Sequence, residues 1–321
     1  MKRIEEILDG NVRTIGIAGH VSPDGDCVGS CCALYLYLKR CVPADLSVDL
    51  YLKNIPDPLL TTPGAADAKE EAPEGKIYDL FIVCDVSDYA RIEVAGSLFD
   101  SARRRVCIDH HVSNDAFADI NHVEPEASAC AEVLTWLLDM DLADRDIATC
   151  LYTGIINDCG VFQYSCTSPR TMRTAALLME KGVDFQRIID ETFNRRTFQQ
   201  NQLLAFGLVN ARLCAGGRCI ASLLKKEDMD RMGVTRKDLD VVVPELRYTR
   251  GVEVAVFVYE TGLNEFKVSF RSNDYLNVAE VARSFGGGGH ERAAGCTIYG
   301  SGESAVKAVT DKLEKELDKY A

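Results

Sequence analysis

The stretch TIGIAGHVSPDGDCVGS, residues 14–30, joins an apolar run to a polar turn and then to the start of a helical pattern. Residues 14–18 have the length and composition of a buried strand. His20, Asp24 and Asp26 follow at once, with proline and glycine between them, which are typical turn residues. The stretch therefore predicts a strand whose carboxyl end leads into a tight loop with three metal-ligand side chains.

The same alternation of short apolar runs and helical patterns continues through the first half of the chain. The predicted strands cover residues 14–18, 46–52, 78–83 and 105–108, and the predicted helices cover 29–39, 127–139, 146–157 and 168–181. Strands that alternate with helices are typical of a mostly parallel sheet with helices on both faces. The predicted fold class is therefore α/β.

After Gly182 the pattern changes, which indicates a second domain. Residues 185–208 predict a helical connector between a first domain over 1–184 and a smaller α/β domain over 209–321. The second domain's predicted elements are strands at 219–224, 252–259 and 266–270, helices at 278–285 and 303–320, and a glycine run between those helices. The strands at 252–259 and 266–270 are predicted to form a hairpin.

Composition limits the classes of function. The 321 residues are 47% hydrophobic and 26% charged, which is typical of a folded protein, and the net charge is −13. This charge argues against a broad surface for long duplex nucleic acid, but not against one local site for a short anion. No apolar run reaches the roughly 20 residues of a membrane-spanning helix. Thirteen cysteines, many within apolar runs, predict free thiols and a cytoplasmic protein without a membrane partner.

Acids and histidines follow three of the four predicted strands of the first domain. Asp85 follows the third strand, and Asp109, His110 and His111 follow the fourth. Because the carboxyl ends of parallel strands share one edge of the sheet, these side chains are predicted to converge with those of the opening stretch. Asp158, at the end of an apolar helical pattern, is a further candidate, since a buried acid is unfavourable unless a positive charge meets it.

Each of these residues also has an ordinary explanation. The acids of the opening stretch could be turn residues, Asp85 could cap a helix, and the histidines could be core or surface imidazoles. However, the chain has only five histidines, and His20, His110 and His111 all fall beside carboxylates at strand ends. Together the pattern favours a metal site over these separate explanations.

The donor types indicate the metal and the chemistry. Carboxylates mixed with imidazoles suit Mn²⁺ or Mg²⁺, with Zn²⁺ or Co²⁺ as substitutes. Four carboxylates and two histidines are more than one ion normally uses. Two ions about 3.5–4 Å apart would use them all, and such a pair activates water and stabilises phosphoryl oxygens. The sequence therefore predicts phosphoester hydrolysis.

Five stretches together resemble a known family. HVSPDGDCVGS at 20–30, VCDVSD at 83–88, DHH at 109–111 and TGIINDCG at 153–160 resemble the four ordered motifs of the DHH phosphoesterases. GGGGHERAAG at 286–295 resembles the signature of the DHH-associated domain. Within that family, a chain of this length is most similar to the nanoRNase type, which acts as oligoribonuclease and 3′-phosphoadenosine 5′-phosphate (pAp) phosphatase.

The resemblance implies roles for individual residues. One metal ion, preferably Mn²⁺, would be held by His20, Asp24 and Asp85. The second ion would be held by Asp26, Asp85, His110 and Asp158. Asp85 would then bridge the two ions, and Asp109 would orient a neighbouring histidine. His111 would contact the scissile phosphate or protonate the leaving oxygen.

The glycine run of the second domain is predicted to bind an anion. Gly287, Gly288 and Gly289 let backbone N–H groups approach a phosphate, His290 adds a donor, and Arg271 could supply a second cation. The alternative is that the glycines only end the preceding helix, for which one glycine suffices.

These expectations assign cutting to the first domain and the holding of a terminal phosphate to the second. The predicted substrates are pAp, pApA and oligoribonucleotides of two to five nucleotides. Two alternatives stay open, namely an inorganic pyrophosphate or polyphosphate hydrolase and a non-catalytic RNA-binding module. The sequence leaves open the preferred substrate, the direction of degradation and the formation of a homodimer.

Overall fold

A computed structural model describes residues 1–8, 11–42, 46–92 and 95–320. The chain divides into two compact units, Met1–Arg195 and Arg196–Ala321. None of the helices in the described ranges combines the length and the apolar character that crossing a membrane requires.

The first unit is built on a parallel sheet of five strands in the order β2-β1-β3-β4-β5. The strands are β1 Thr14–Ala18, β2 Ser47–Tyr51, β3 Leu80–Cys84, β4 Arg105–Asp109 and β5 Ile120–Val123. The predicted α/β fold class is thus confirmed. Strand β5 was not predicted, because its residues are only half-buried and form no apolar run.

Among the described residues, six helices accompany this sheet. They are α1 Gly25–Arg40, α2 Gly96–Ser101, α3 Cys130–Leu137, α4 Arg145–Asp158, α5 Pro169–Glu180 and α6 Phe185–Ile189. Short 3₁₀ turns lie at Ile4–Ile7, Asp57–Leu59, Ala65–Asp67 and Tyr89–Arg91. Helix α5 begins as predicted, with Ser168 accepting hydrogen bonds from the backbone N–H groups of Arg170 and Thr171.

Helix α1 begins earlier than the predicted 29–39. Asp24 is its N-cap, and the carboxylate accepts hydrogen bonds from the backbone N–H groups of Asp26 and Cys27, both at 3.1 Å. The expectation of a loop through Asp26 was therefore wrong, because a capping acid outweighs the turn preference of the neighbouring proline and glycine. As a result, Asp26 lies in the first helical turn and is buried.

Helices α1 and α4 cross in close contact, which determines where the acids of both helices lie. At the crossing, a Cβ on Gly29 would lie only 2.5 Å from the carbonyl oxygen of Cys150, so only glycine fits there. A Cβ on Gly154 would lie 2.7 Å from Oδ1 of Asp26. The tight crossing thus brings the start of α1 beside the end of α4, where Asp158 lies.

The segment predicted as a helical connector, 185–208, is interrupted. Helix α6 runs into a π-helical turn at Asp190–Asn194, and α7 then covers Phe198–Val209. The backbone at Arg195 is extended, and Thr197 starts α7 with a capping box that includes Gln200. The boundary between the two compact units falls within this interruption.

The second unit is built on a mixed sheet of six strands in the order β10-β11-β9-β8-β7-β6. The strands are β6 Arg212–Cys214, β7 Cys219–Leu224, β8 Val254–Gly262, β9 Glu265–Ser272, β10 Gly288–His290 and β11 Ala293–Tyr299. The helices after α7 are α8 Lys226–Met232, α9 Val242–Arg247, α10 Val278–Arg283 and α11 Gly302–Leu317, with 3₁₀ turns at Ala215–Gly217, Arg236–Val241 and Asp318–Tyr320. The predicted hairpin is present as β8 and β9.

Asp49 on the edge strand β2 is the centre of a charged cluster that holds the 69–78 segment. Its carboxylate contacts Lys69 at 2.6 Å, Lys76, and the hydroxyl of Tyr78 at 2.5 Å. Burial raises the pKa of Asp49, but the three partners together lower it by more than burial raises it, so that the pKa is about 2. The carboxylate of Asp49 therefore stabilises the folded state as long as it is ionised.

We expect Asp49→Asn to lower the free energy of unfolding by about 2 kcal/mol at neutral pH. The pKa of Asp49 is lower in the folded than in the unfolded state, so its contribution is present above pH 4 and is lost as pH falls towards 2. Urea unfolding of both proteins at pH 7 and pH 3 measures this. A difference that stays constant or grows on acidification would contradict the assignment.

Candidate metal centre

The candidate metal centre lies at the carboxyl edge of the first sheet. Strands β1, β3 and β4 are neighbours in the sheet, and His20, Asp85 and His110 follow their ends. In a parallel sheet this edge is where loops bring side chains from different strands together. The predicted convergence is therefore present.

Asp85 lies between the histidines of the neighbouring strands. Its Oδ2 lies 3.5 Å from Nε2 of His20, and its Oδ1 lies 3.6 Å from Nε2 of His110. Asp85 is buried, and its Oδ1 has no hydrogen-bond partner in the described part of the chain. Its backbone φ of 60° lies in the left-handed region, which non-glycine residues seldom adopt outside functional sites.

The first predicted ligand set lies around His20. Nε2 of His20 is 3.6 Å from Oδ2 of Asp24 and 3.5 Å from the carboxylate of Asp85. The other ring nitrogen, Nδ1, lies 2.8 Å from the carbonyl oxygen of Val21. If Nδ1 donates to this carbonyl, Nε2 carries the lone pair that a metal ion needs.

The second predicted ligand set lies around His110. Its Nε2 is 3.2 Å from Oδ2 of Asp158 and 3.8 Å from Oδ2 of Asp26. Its Nδ1 lies 3.3 Å from the carbonyl oxygen of Ala127, which fixes the ring. Ligand atoms of Asp26, His110 and Asp158 all lie within 4.8 Å of one another, so these three side chains could hold one ion.

The amino-terminal turn of α3 fixes Asp26. Oδ2 of Asp26 accepts a hydrogen bond from the backbone N–H of Cys130 at 2.6 Å, and Oδ1 accepts from that of Ala131 at 2.9 Å. The hydroxyl of Ser30 donates to Oδ1 at 3.1 Å. Backbone donors at a helix start stabilise a carboxylate, so Asp26 is held in place before any cation binds.

Asp109 orients His111 rather than His110. Its Oδ1 accepts a hydrogen bond from Nδ1 of His111 at 2.7 Å, and its Oδ2 accepts from Nδ2 of Asn114 at 2.7 Å. Asp109 is completely buried, whereas about a third of the His111 side chain is exposed. With Nδ1 engaged by Asp109, Nε2 of His111 is the ring nitrogen available to another group.

The electrostatics of the cluster are those of a cation site. Burial and the neighbouring charge of Asp26 raise the pKa of Asp158 to about 7, and the same two causes raise that of Asp85. Burial lowers the pKa of His20, but its contacts with Asp24 and Asp85 outweigh this and raise the pKa to about 11. Clustered buried carboxylates and the unpartnered Oδ1 of Asp85 fit divalent metal ions.

Four functional candidates were missed by sequence reasoning. The sulfur of Cys27 lies close enough to ligand atoms of His20 and Asp85 to share a metal ion with them, and Arg91 lies 3.1 Å from Nδ1 of His20. Asn114 donates a hydrogen bond to Asp109. Glu132 accepts hydrogen bonds from the hydroxyl groups of Ser128 and Thr171. Only the last had a signal, namely a single acid in the apolar run CAEVLTWLL. The other three residues have partners that are either distant in sequence or lie on the other side of a loop, so no local pattern reports the contact.

The predicted anion-binding residues lie in the second unit, at an edge of its sheet. His290 on β10 and Arg271 on β9 are both cross-strand partners of Ala293 on β11, which lies between them. Directly paired residues project from the same face of a sheet. The side chains of His290 and Arg271 therefore leave the same face of this sheet, with the methyl group of Ala293 between them. Two strand spacings separate their backbones, about 10 Å.

The glycine run has structural reasons of its own. Gly286 ends α10 with φ 75°, as the alternative explanation expected of one glycine. A Cβ on Gly287 or Gly289 would lie 2.2 Å or 2.5 Å from carbonyl oxygens of β11. Gly288 has open space around its Cβ position and lies on the exposed edge strand. The run is therefore partly a strand packed against β11, not solely a ligand loop.

Comparison with known proteins gives two family matches. Residues 14–155 match the DHH family, N-terminal domain, and residues 217–319 match the DHHA1 domain. A bifunctional oligoribonuclease and PAP phosphatase NrnA from Thermus thermophilus is 29% identical, covering 99% of this chain and 94% of its own. A protein of the same name from Bacillus subtilis is 27% identical, and the match covers 93% of this chain and 93% of that protein.

A solved structure agrees over nearly the whole chain. The crystal structure of an exopolyphosphatase-related protein from Bacteroides fragilis superimposes with a TM-score of 0.84 at 27% identity. The match covers 97% of this chain and 93% of that one.

Proposed function

The chain belongs to the DHH family through its first domain and carries a DHHA1 domain in its second, and on this basis we propose that it hydrolyses phosphoester bonds in short nucleotides. The substrates would be oligoribonucleotides of two to five nucleotides and pApA, which release mononucleotides, and pAp, which loses its 3′-phosphate. The observation that carries the proposal is the position of Asp85, whose two carboxylate oxygens lie within 3.6 Å of His20 and His110.

The residues at the sheet edge have separable tasks in this reaction. Two divalent ions, when bound, would supply water activation and charge neutralisation at the phosphoryl oxygens. His20, Asp24 and Asp85 would hold one ion, and the other would be held by Asp26, Asp85, His110 and Asp158. We propose Mn²⁺ because the set is dominated by hard oxygen donors with imidazole.

His111 would act on the leaving group. Its Nδ1 is engaged by buried Asp109, so a proton on Nε2 can pass to the oxygen that departs from phosphorus. The contact with Asp109 also raises the pKa of His111, which keeps the ring protonated at higher pH. The pair therefore suits a general acid near neutral pH.

The second domain would hold the terminal phosphate of the substrate. Arg271 and His290 can both donate to phosphate oxygens, and the exposed edge strand Gly288–His290 offers outward backbone groups. The name shared by the Thermus and Bacillus relatives refers to the same two substrate types, oligoribonucleotides and pAp. We place the enzyme in the cytoplasm, because its thirteen cysteines are free thiols.

The test is a substrate panel with the purified protein in Mn²⁺. Release of mononucleotide or phosphate is measured from pApA, pAp, a five-nucleotide RNA and inorganic pyrophosphate under identical conditions. Turnover of the nucleotides is the expected result, and its rank order names the preferred substrate. Cleavage of pyrophosphate alone would contradict the proposal in favour of an inorganic pyrophosphatase, and RNA binding without turnover would favour the binding module.

We expect Asp109→Asn to lower the catalytic rate about 10- to 100-fold while metal binding is retained. An asparagine has an acceptor oxygen at only one of the two carboxylate positions, and His111 and Asn114 donate to different oxygens of Asp109, so one of these two hydrogen bonds is lost. Steady-state kinetics on pApA measure the rate, and the thermal shift caused by Mn²⁺ measures metal binding. An unchanged rate, or loss of the thermal shift as well, would contradict an orienting role.

Arg271→Ala and His290→Ala are each expected to raise KM about tenfold with little change in kcat, because they would remove a contact made equally in ground and transition states. Lys267→Ala is the matched control, since Lys267 is an exposed cation on the same strand β9. Steady-state kinetics on pApA compare the three variants. An unchanged KM in both test variants, or an equal rise of KM in the control, would contradict the proposal that the second domain contacts the phosphate of the substrate.

A further inference from the structure

The first unit contains a cavity whose lining residues are separate from the candidate metal ligands. It has a volume of about 300 Å³ and is lined by side chains from residues 58–63, from residues 145–153 of α4 and from residues 184–192. Arg145 at the start of α4 lines it, whereas Asp158 of the metal centre ends the same helix. At 1.5 Å per residue, the backbone of Arg145 lies about 20 Å from that of Asp158, and the backbone of Thr153, which also lines the cavity, lies about 7.5 Å from it.

The acids that line this cavity are already engaged. Asp146 forms an ion pair with Arg40 at 3.0 Å, and Glu191 forms one with Arg195. Asp184 is the N-cap of α6, where its carboxylate accepts the backbone N–H of Arg187 at 3.2 Å. Asp146 shares Arg40 with Asp144, which lies 2.6 Å from the same nitrogen. Each of the three carboxylates therefore has a hydrogen-bond donor other than the side chains of the two lining arginines.

The two arginines of the lining, unlike two of the acids, are not engaged in ion pairs within the described part of the chain. Arg145 and Arg187 are exposed, and neither has a carboxylate within 4 Å among residues 1–8, 11–42, 46–92 and 95–320. Their guanidinium groups are therefore available to an anion, for which arginine provides paired N–H donors. Because the three acids of the lining already have other donors, these two guanidinium groups are the positions in the cavity at which an anion can bind.

Threonine hydroxyl groups add neutral donors. Thr62 and Thr149 line the cavity, and their hydroxyl groups make no hydrogen bond within the described ranges. The hydroxyl of Thr153, in contrast, donates to the carbonyl oxygen of Thr149 at 2.8 Å. Pro58, Pro63 and Ile188 provide an apolar part of the wall.

We propose that this cavity binds a small phosphate monoester, with Arg145 and Arg187 holding the phosphate group. The threonine hydroxyls would complete its hydrogen bonds, and the apolar wall would receive an organic group such as a nucleoside. The volume lies at the lower end of the range of about 300–1,000 Å³ that small-molecule sites occupy. A nucleoside monophosphate fits these features better than inorganic phosphate, which would leave the apolar wall uncovered.

The location gives such a ligand a regulatory position. Ile188, Glu191 and Thr192 of the lining belong to α6 and the π-helical turn, directly before the boundary between the two units. A ligand held between this segment and α4 would stabilise one conformation of the chain that leads into the second domain. If the proposed function holds, the nucleoside monophosphate is also the product of the reaction.

The test is a binding experiment on the full-length, metal-free protein, so that its result does not depend on catalysis. Adenosine 5′-monophosphate and inorganic phosphate are titrated separately, and the amide signals of Thr149, Arg187 and Thr192 are followed by NMR. We expect saturable shifts with the nucleotide and weaker affinity for phosphate. Arg145→Ala combined with Arg187→Ala should weaken binding at least about tenfold.

Arg173→Ala is the control, since Arg173 is an exposed arginine on α5 outside the lining. Both test arginines are exposed, so circular dichroism of the double variant should match that of the wild type. Saturable shifts with phosphate alone would support the site but assign it to inorganic phosphate. No shift at millimolar concentrations of either probe, or shifts unchanged in the double variant, would overturn the proposal.

Discussion

Asp85→Asn is expected to lower the turnover of pApA and short RNA by about a thousandfold or more. The two oxygens of Asp85 face two histidines on neighbouring strands, at 3.5 Å and 3.6 Å. An amide nitrogen in place of one oxygen cannot ligate a cation, so neither ion would be held correctly. Initial rates in saturating Mn²⁺ measure the effect.

The same substitution separates catalysis from folding. In metal-free protein, Asp85→Asn removes a buried carboxylate whose pKa is raised by burial and by Asp26, so it should leave stability unchanged or increase it. Asp119→Asn is the control, because Asp119 is a partly exposed acid paired with Arg105 and loses the same charge. Activity above a tenth of wild type in Asp85→Asn would contradict the bridging role.

Removal of divalent metal by a chelator is expected to abolish activity and to lower the thermal stability of the first domain. Without cations, buried Asp26 and Asp85 lie close to the partly buried Asp158. Burial raises the pKa values of all three, the charge of Asp26 raises those of Asp85 and Asp158, and the charge of Asp24 raises that of Asp26. Readdition of Mn²⁺ to about 100 times its dissociation constant should stabilise the fold by about 2.7 kcal/mol. Differential scanning calorimetry and parallel rate measurements record both changes.

The matched comparison is the same Mn²⁺ titration on Asp85→Asn. We expect its thermal midpoint to rise much less than that of the wild type, because the shared ligand is missing. Full activity in the chelator, or an equal Mn²⁺-induced rise in both proteins, would show that the cluster at the sheet edge is not the metal centre.

The sequence was most informative where local chemistry determines local structure. The strand ends at His20, Asp85 and Asp109 could be predicted because apolar runs followed by polar residues mark where a buried parallel strand leaves the sheet. Since parallel strands end at one edge, their convergence followed from topology alone. The start of α5 was predictable because Ser168 and Pro169 are typical N-terminal residues.

The remainder depends on contacts between distant segments. The early start of α1 required recognition of Asp24 as a capping residue, when the same residues also suit a turn. The support of Asp26 by Cys130 and Ala131 joins segments more than 100 residues apart, which no local pattern reports. Likewise, Gly287 and Gly289 could not be assigned to strand packing before the position of β11 was known.

The most direct test of the central claim is the number of Mn²⁺ ions that each chain binds. Metal-free protein is titrated with Mn²⁺ by isothermal titration calorimetry, and the bound metal is counted by mass spectrometry after gel filtration. A shared Asp85 between two ligand sets predicts two ions per chain in the wild type and at most one in Asp85→Asn. A single ion in the wild type, or two ions in both proteins, would contradict a two-metal centre built around Asp85.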